Sequence, residues 1–200
     1  MNPFIFANKK IFMRYLIAIF LISFSLSAFA QTTNTEIPPL DKSPMDMSYY
    51  PVNYPLLKIQ NKISEPLEMR VIYSRPQLDG RKIFGGLQKY GEVWRLGANE
   101  ATEIDFYKDV KINKTRIKKG RYTLYAIPYP DKWTLIVNKD TDTWGSFRYD
   151  SSKDIVRINL PVMQNESTED MTIVFEKTST GANMNMYWGD VKVTLPIFFS

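Results

Sequence analysis

Arg75, Arg81, Trp94, Arg95, Asn99 and Glu100 are the side chains whose types and spacing point to a ligand site. Arginine presents a planar fork that matches carboxylates, phosphates or sugar hydroxyls. A tryptophan face stacks on ring compounds, while Asn and Glu supply further hydrogen bonds. All six lie in the segment 74–102, which holds five of the nine glycines between Gly80 and Gly97. Glycine lets a backbone turn sharply or approach another group closely. The segment therefore reads as a long shaped loop on a rigid scaffold, where binding function usually sits. The same residues also suit a structural loop in which Arg95 and Glu100 pair with each other or cap backbone groups. No Gly-x-Gly-x-x-Gly or Walker spacing occurs, so nothing supports a nucleotide site.

Absent residue types narrow the chemistry further. The chain has no His and no Cys, which removes the Ser-His-Asp triad, the thiol nucleophile and the ordinary zinc site. Catalysis would fall to carboxylates, Lys, Tyr or an oxygen-ligated metal. One such alternative is a glycan-active enzyme with Glu100 and Asp105 or Asp79 as its acid/base pair, which requires carboxyls about 5–10 Å apart. Asn99-Glu100 imitates the pair of barrel glycosidases, but that barrel takes about 250 residues. Asp140-x-Asp142-x-x-Gly145 imitates part of a calcium loop, yet Trp144 stands at a ligand position and no Glu closes it at Ser151. It reads as a turn. The expectation is a non-catalytic module with no cofactor and no metal, whose partner is a glycan, a small anionic ligand or an envelope protein.

The elements that would hold such a loop are strands. Ile104 and Phe106 alternate with Glu103 and Asp105; Tyr122, Leu124 and Ala126 share one face, as do Trp133, Leu135 and Val137. Pro128-Tyr129-Pro130-Asp131 turns between the last two runs. Val156, Ile158 and Leu160 repeat the pattern, followed by Met171, Ile173 and Phe175, by Met184, Met186 and Trp188, and by Val191, Val193 and Leu195. Gly189-Asp190 is a hairpin turn between the last two. Eight or nine short strands predict an all-β antiparallel sandwich, in jelly-roll or immunoglobulin-like order. Aromatics on both faces around Tyr122, Tyr125 and Trp133 leave room for an exposed glycan platform. Upstream, the Pro-rich stretch 45–66 predicts an extended strap, because prolines oppose a helix over Met45–Lys58.

Ser74-Arg75-Pro76, the run Gly80 to Leu87, Tyr90-Gly91 and Val93-Trp94-Arg95-Leu96-Gly97-Ala98-Asn99-Glu100-Ala101-Thr102 resemble the signature of the bacterial family called domain of unknown function 2911. Gly120 to Pro128, Trp133, Asn138 and Trp144-Gly145 are similar to its later motifs. The likeness runs from about Met45 to Leu195. It implies an exported envelope protein with one domain and supplies no reaction.

An address precedes the domain. Lys9, Lys10 and Arg14 form a basic start, Tyr15 to Phe24 is apolar, and Ala28-Phe29-Ala30 fits the signal-peptidase pattern. This ten-residue run falls short of the roughly 20 residues a spanning helix needs. Residues 1–30 are thus expected to be a signal peptide, 31–44 a flexible leader, and 45–200 a single β-sandwich domain. With no cysteine to acylate, the expected destination is the periplasm or beyond the outer membrane, without a membrane span after cleavage. Three of the 26 basic residues and none of the 21 acidic ones precede Gln31, leaving a net charge of +2. That balance, with no basic run longer than a pair, argues against nucleic acid.

Overall fold

The computed structural model describes residues 36–199. The signal-peptide expectation and the first five residues of the leader, 31–35, lie outside the described residues. Leu40–Ser200 forms one compact unit.

That unit is a two-sheet antiparallel β-sandwich. Its elements are β1 (Met45–Tyr50), α1 (Tyr54–Ile59), β2 (Met69–Ser74), β3 (Glu103–Phe106), β4 (Val110–Ile112), β5 (Thr115–Ile117), β6 (Gly120–Pro128), β7 (Lys132–Asn138), β8 (Asp154–Pro161), β9 (Met163–Lys177) and β10 (Gly181–Phe199). One sheet runs β1-β2-β3-β6-β7-β8 and the other β5-β4-β10-β9. The alternating apolar residues face each other between them. Val71, Ile104, Phe106, Leu124, Trp133, Leu135 and Val137 from the first sheet meet Met171, Ile173, Met184, Met186, Val193 and Leu195 from the second, all buried. Period-two patterning thus places one face of each strand in a shared core.

β10 is not a straight strand. At about 3.3 Å per residue, a straight run would set Gly181 and Ile197 about 50 Å apart. Instead Gly181 packs against the Ile197 backbone, the Phe199 N–H donates to the Thr180 carbonyl at 3.0 Å, and the Thr194 hydroxyl donates to Asn185 at 2.7 Å. The chain folds back at Gly189-Asp190, where Gly189 takes a left-handed φ of 62°. The expected hairpin turn explains the reversal.

Two expectations need correction. The strap is extended only over β1, which pairs with β2 from Met45↔Ser74 to Tyr50↔Met69. After it comes the helix α1, with Pro55 in its first turn. There a proline forfeits no helical hydrogen bond and its fixed φ suits the turn, so it starts a helix instead of preventing one. Tyr125 and Trp133 also form no exposed platform, being 2% and 1% exposed. Tyr125 lies on the outer face of the six-stranded sheet, where it packs with Ala101, Ile136 and Tyr149 under the loops that follow Val93 and Asp140.

Candidate functional site

The Gly-rich segment is clamped to the sandwich by aromatic packing. Trp94 bridges Ala126 of β6 through two backbone hydrogen bonds, 2.7 and 2.9 Å. Its indole N–H donates to the Gly97 carbonyl at 3.0 Å. Its ring stacks on Trp188 at 5.8 Å and meets Trp133 edge-on at 5.4 Å. Phe84 reaches into the same group, 5.6 Å from Trp94, 5.1 Å from Trp133 and 6.0 Å from Trp188. Trp94 is therefore core, with no free face for a ligand.

The other candidates divide. Arg75 ties three strands together: its guanidinium meets Asp46 of β1 at 3.0 Å, the Met171 carbonyl at 3.1 Å and the Thr172 hydroxyl at 3.0 Å. Arg81 donates to the carbonyls of Leu78 (2.9 Å) and Gln77 (2.6 Å), which fixes its position on the rim of a cleft. Asn99 sits at φ 56° and donates to Asp41; Asn is among the few residues that tolerate this left-handed region. Glu100 is exposed, and its backbone bridges Trp144. Arg95 is half-buried, has no acidic partner among the described residues, and leaves its Nε buried without a hydrogen bond. Desolvation holds its guanidinium below the usual arginine range. The expected Arg95–Glu100 pair does not form.

The two arginines lead to opposite expectations. Arg75→Met should cost about 1–3 kcal/mol, because it strands three acceptors at a strand junction. Arg95→Met removes a desolvated, unpaired cation at similar volume. It should be neutral or stabilising by up to about 1 kcal/mol. Urea unfolding of both variants checks the contrast, and an equal loss in the two would refute the assignment.

The acid/base candidates do not converge. Glu100 shares a small cavity of about 140 Å³ with Glu103 and Asp142. Those two carboxylates are held by Arg121. Asp105 lies elsewhere, bound by Arg70 at 2.6 Å, and Asp79 does not line that cavity. In the calcium-like turn, Asp140 pairs with Lys153 at 3.0 Å and Asp142 with Arg121. On the outer face, burial and then the hydrogen bond to Asp154 push the Tyr149 phenol up to about 12. It stays protonated and donates to Asp154 at 2.6 Å, while Arg157 closes the group.

A larger cleft of about 540 Å³ opens where the Gly-rich segment meets the β10 turn. Arg81, Lys82, Phe84 and Tyr90 line it from the segment; Trp188 and Asp190 line it from β10. The volume lies within the range of small-molecule sites. Trp188 is 3% exposed, and its indole N–H is buried without an acceptor among the described residues. Neither Lys82 nor Asp190 makes an ion pair among the described residues. Sequence reasoning reached one side of this cleft through Arg81. It missed Trp188 and Asp190, whose only local signal is an aromatic beside a Gly-Asp turn.

Residues 55–197 match the family model described as protein of unknown function (DUF2911). No curated protein and no solved structure matches the chain.

Proposed function

The chain belongs to that family, and on this premise we propose that it is an exported, non-catalytic binding module of the periplasm. Its ligand is a small acidic ring compound, of the acidic-sugar class, held in the cleft beneath the Gly-rich segment. The carrying observation is the lining of that cleft, which sets Arg81 and Lys82 beside Phe84, Tyr90 and Trp188. Arg81 and Lys82 set two positive charges at the mouth against the single Asp190, which favours an anion. Phe84 and Tyr90 give the ring an aromatic wall. The enzymatic alternative is the weaker reading, because the carboxylates beside Glu100 in its cavity, Glu103 and Asp142, are held by Arg121, and Asp105 is bound by Arg70.

Calorimetric titration of the exported protein with glucuronate, glucose and inorganic phosphate tests this. Glucuronate should bind at least about tenfold more tightly than glucose, a difference of about 1.4 kcal/mol. Lys82→Gln should weaken it by about tenfold without loss of fold. Phosphate binding without glucuronate binding would replace the sugar by a bare anion. Failure of all three probes at millimolar concentration would overturn the reading.

A further inference from the structure

The helix α1 buries none of its own residues. Leu56 and Ile59, three positions apart and so on one face, are 55% and 81% exposed, and Val52 just before the helix is 47% exposed. Apolar side chains normally form the stripe that docks a helix on its domain, yet here they turn away from it. Between Asp46 and Glu65 the chain carries no acidic residue, while Lys58 and Lys62 are both exposed. Neither lysine makes a salt bridge among the described residues. Lys58 lies over the Tyr54 ring, 5.9 Å from its centroid.

We infer that this projection is a membrane-surface contact that sets Val52, Leu56 and Ile59 into the headgroup boundary of an anionic bilayer. Exposed apolar residues flanked by lysines and a tyrosine are the composition that suits that interface. The lysines add attraction to anionic lipid at close range. Charge separates this occupant from a second copy of the chain, which would bring Lys58 and Lys62 of both copies together with no acid between them. The anchor is shallow and reversible, since it offers only three apolar side chains and two cations. It lies apart from the ligand cleft. In the six-stranded sheet Tyr50, Met69, Phe106 and Gly120 stand in register at one end, and α1 follows Tyr50. The β6–β7 turn at Tyr129–Asp131 lies at the other end.

The chain has no cysteine, so one introduced thiol can carry an environment-sensitive dye without competition. The full chain, secreted with its own leader and recovered after export, is labelled at Ile59→Cys and, as a control, at exposed Asp131→Cys. Vesicles of phosphatidylcholine with phosphatidylglycerol should raise and blue-shift emission at position 59 and leave position 131 unchanged. In co-sedimentation, Leu56→Asp with Ile59→Asp should cut binding at least about tenfold, given the cost of charge in the apolar layer. Lys58→Gln with Lys62→Gln should cut it by about tenfold and flatten its salt dependence. Both pairs should melt with the parent, because no residue of α1 is buried. An unshifted dye at position 59, an equal shift at 131, or binding unaffected by either pair overturns the inference. A parent that ignores vesicles but captures a protein partner through α1 overturns it as well.

Discussion

Phe84→Ala should lower stability by about 3 kcal/mol, which for a domain of this length moves the melting temperature by about 10 °C. Phe84 sits within 5.1–6.0 Å of three tryptophan rings, and two of those contacts are edge-on, the geometry that adds to simple burial. Its backbone is held by a tight local turn, in which Gly86 and Gln88 donate to the Ile83 carbonyl and Leu87 to that of Lys82. Ile83 beside it is buried, but Leu87 and Tyr90 after it are exposed, at 61% and 40%. The ring is therefore, with Ile83, an apolar rivet between this part of the Gly-rich loop and the core. Its loss also widens the cleft beside Trp188. The variant should show both a lowered melting temperature and weakened glucuronate binding, while Leu87→Ala should melt within about 1 °C of the parent. A parental melting temperature for Phe84→Ala would mean that Ile83, Trp94 and Leu96 hold the loop without it.

The sandwich was legible in the sequence because burial on one face forces a period of two. Met171, Ile173 and Phe175, and Met184, Met186 and Trp188, all arrive in the core as their spacing requires. α1 was not legible, since proline opposes a helix or starts one according to its position, and the pattern carries no register for that. The site was half legible. Residue type drew attention to Arg75 and Trp94, but an arginine that joins strands and one that meets a ligand look alike until their partners are known. Lys82 and Phe84 stood in the right segment without being singled out. Trp188 and Asp190 come from a strand about a hundred residues downstream, and local spacing does not encode which turn faces which loop. Arg95 is the residue for which sequence and structure leave the most open chemistry. It adjoins Leu96, a buried non-glycine at φ 55°, where backbone strain of about 1–2 kcal/mol is held in place by the Thr102 contacts to the Arg95 and Leu96 carbonyls.

Gly181→Ala is expected to be nearly as damaging as the loss of Phe84, for the opposite reason. A Cβ at Gly181 would overlap the Ile197 carbonyl oxygen and press on the Ile197 carbon and the Phe198 Cα, all backbone atoms. Flexible side chains can swing away from such a contact, but a paired backbone cannot, so the two arms of β10 must separate. The Gly181 carbonyl also accepts from the Thr178 N–H at 3.0 Å and from the buried Tyr50 hydroxyl at 3.3 Å. The shift therefore reaches the hairpin that leads into β10 and the end of β1. Overpacking of this kind costs about 3 kcal/mol. Gly80→Ala provides the contrast: Gly80 has a left-handed φ of 66° and no atom within 4 Å of the added methyl. Only backbone strain remains there, about 1 kcal/mol. Urea midpoints for the two variants separate steric from conformational cost. If Gly181→Ala were the milder, the two arms of β10 would not pack as closely as the fold-back at Gly189 requires.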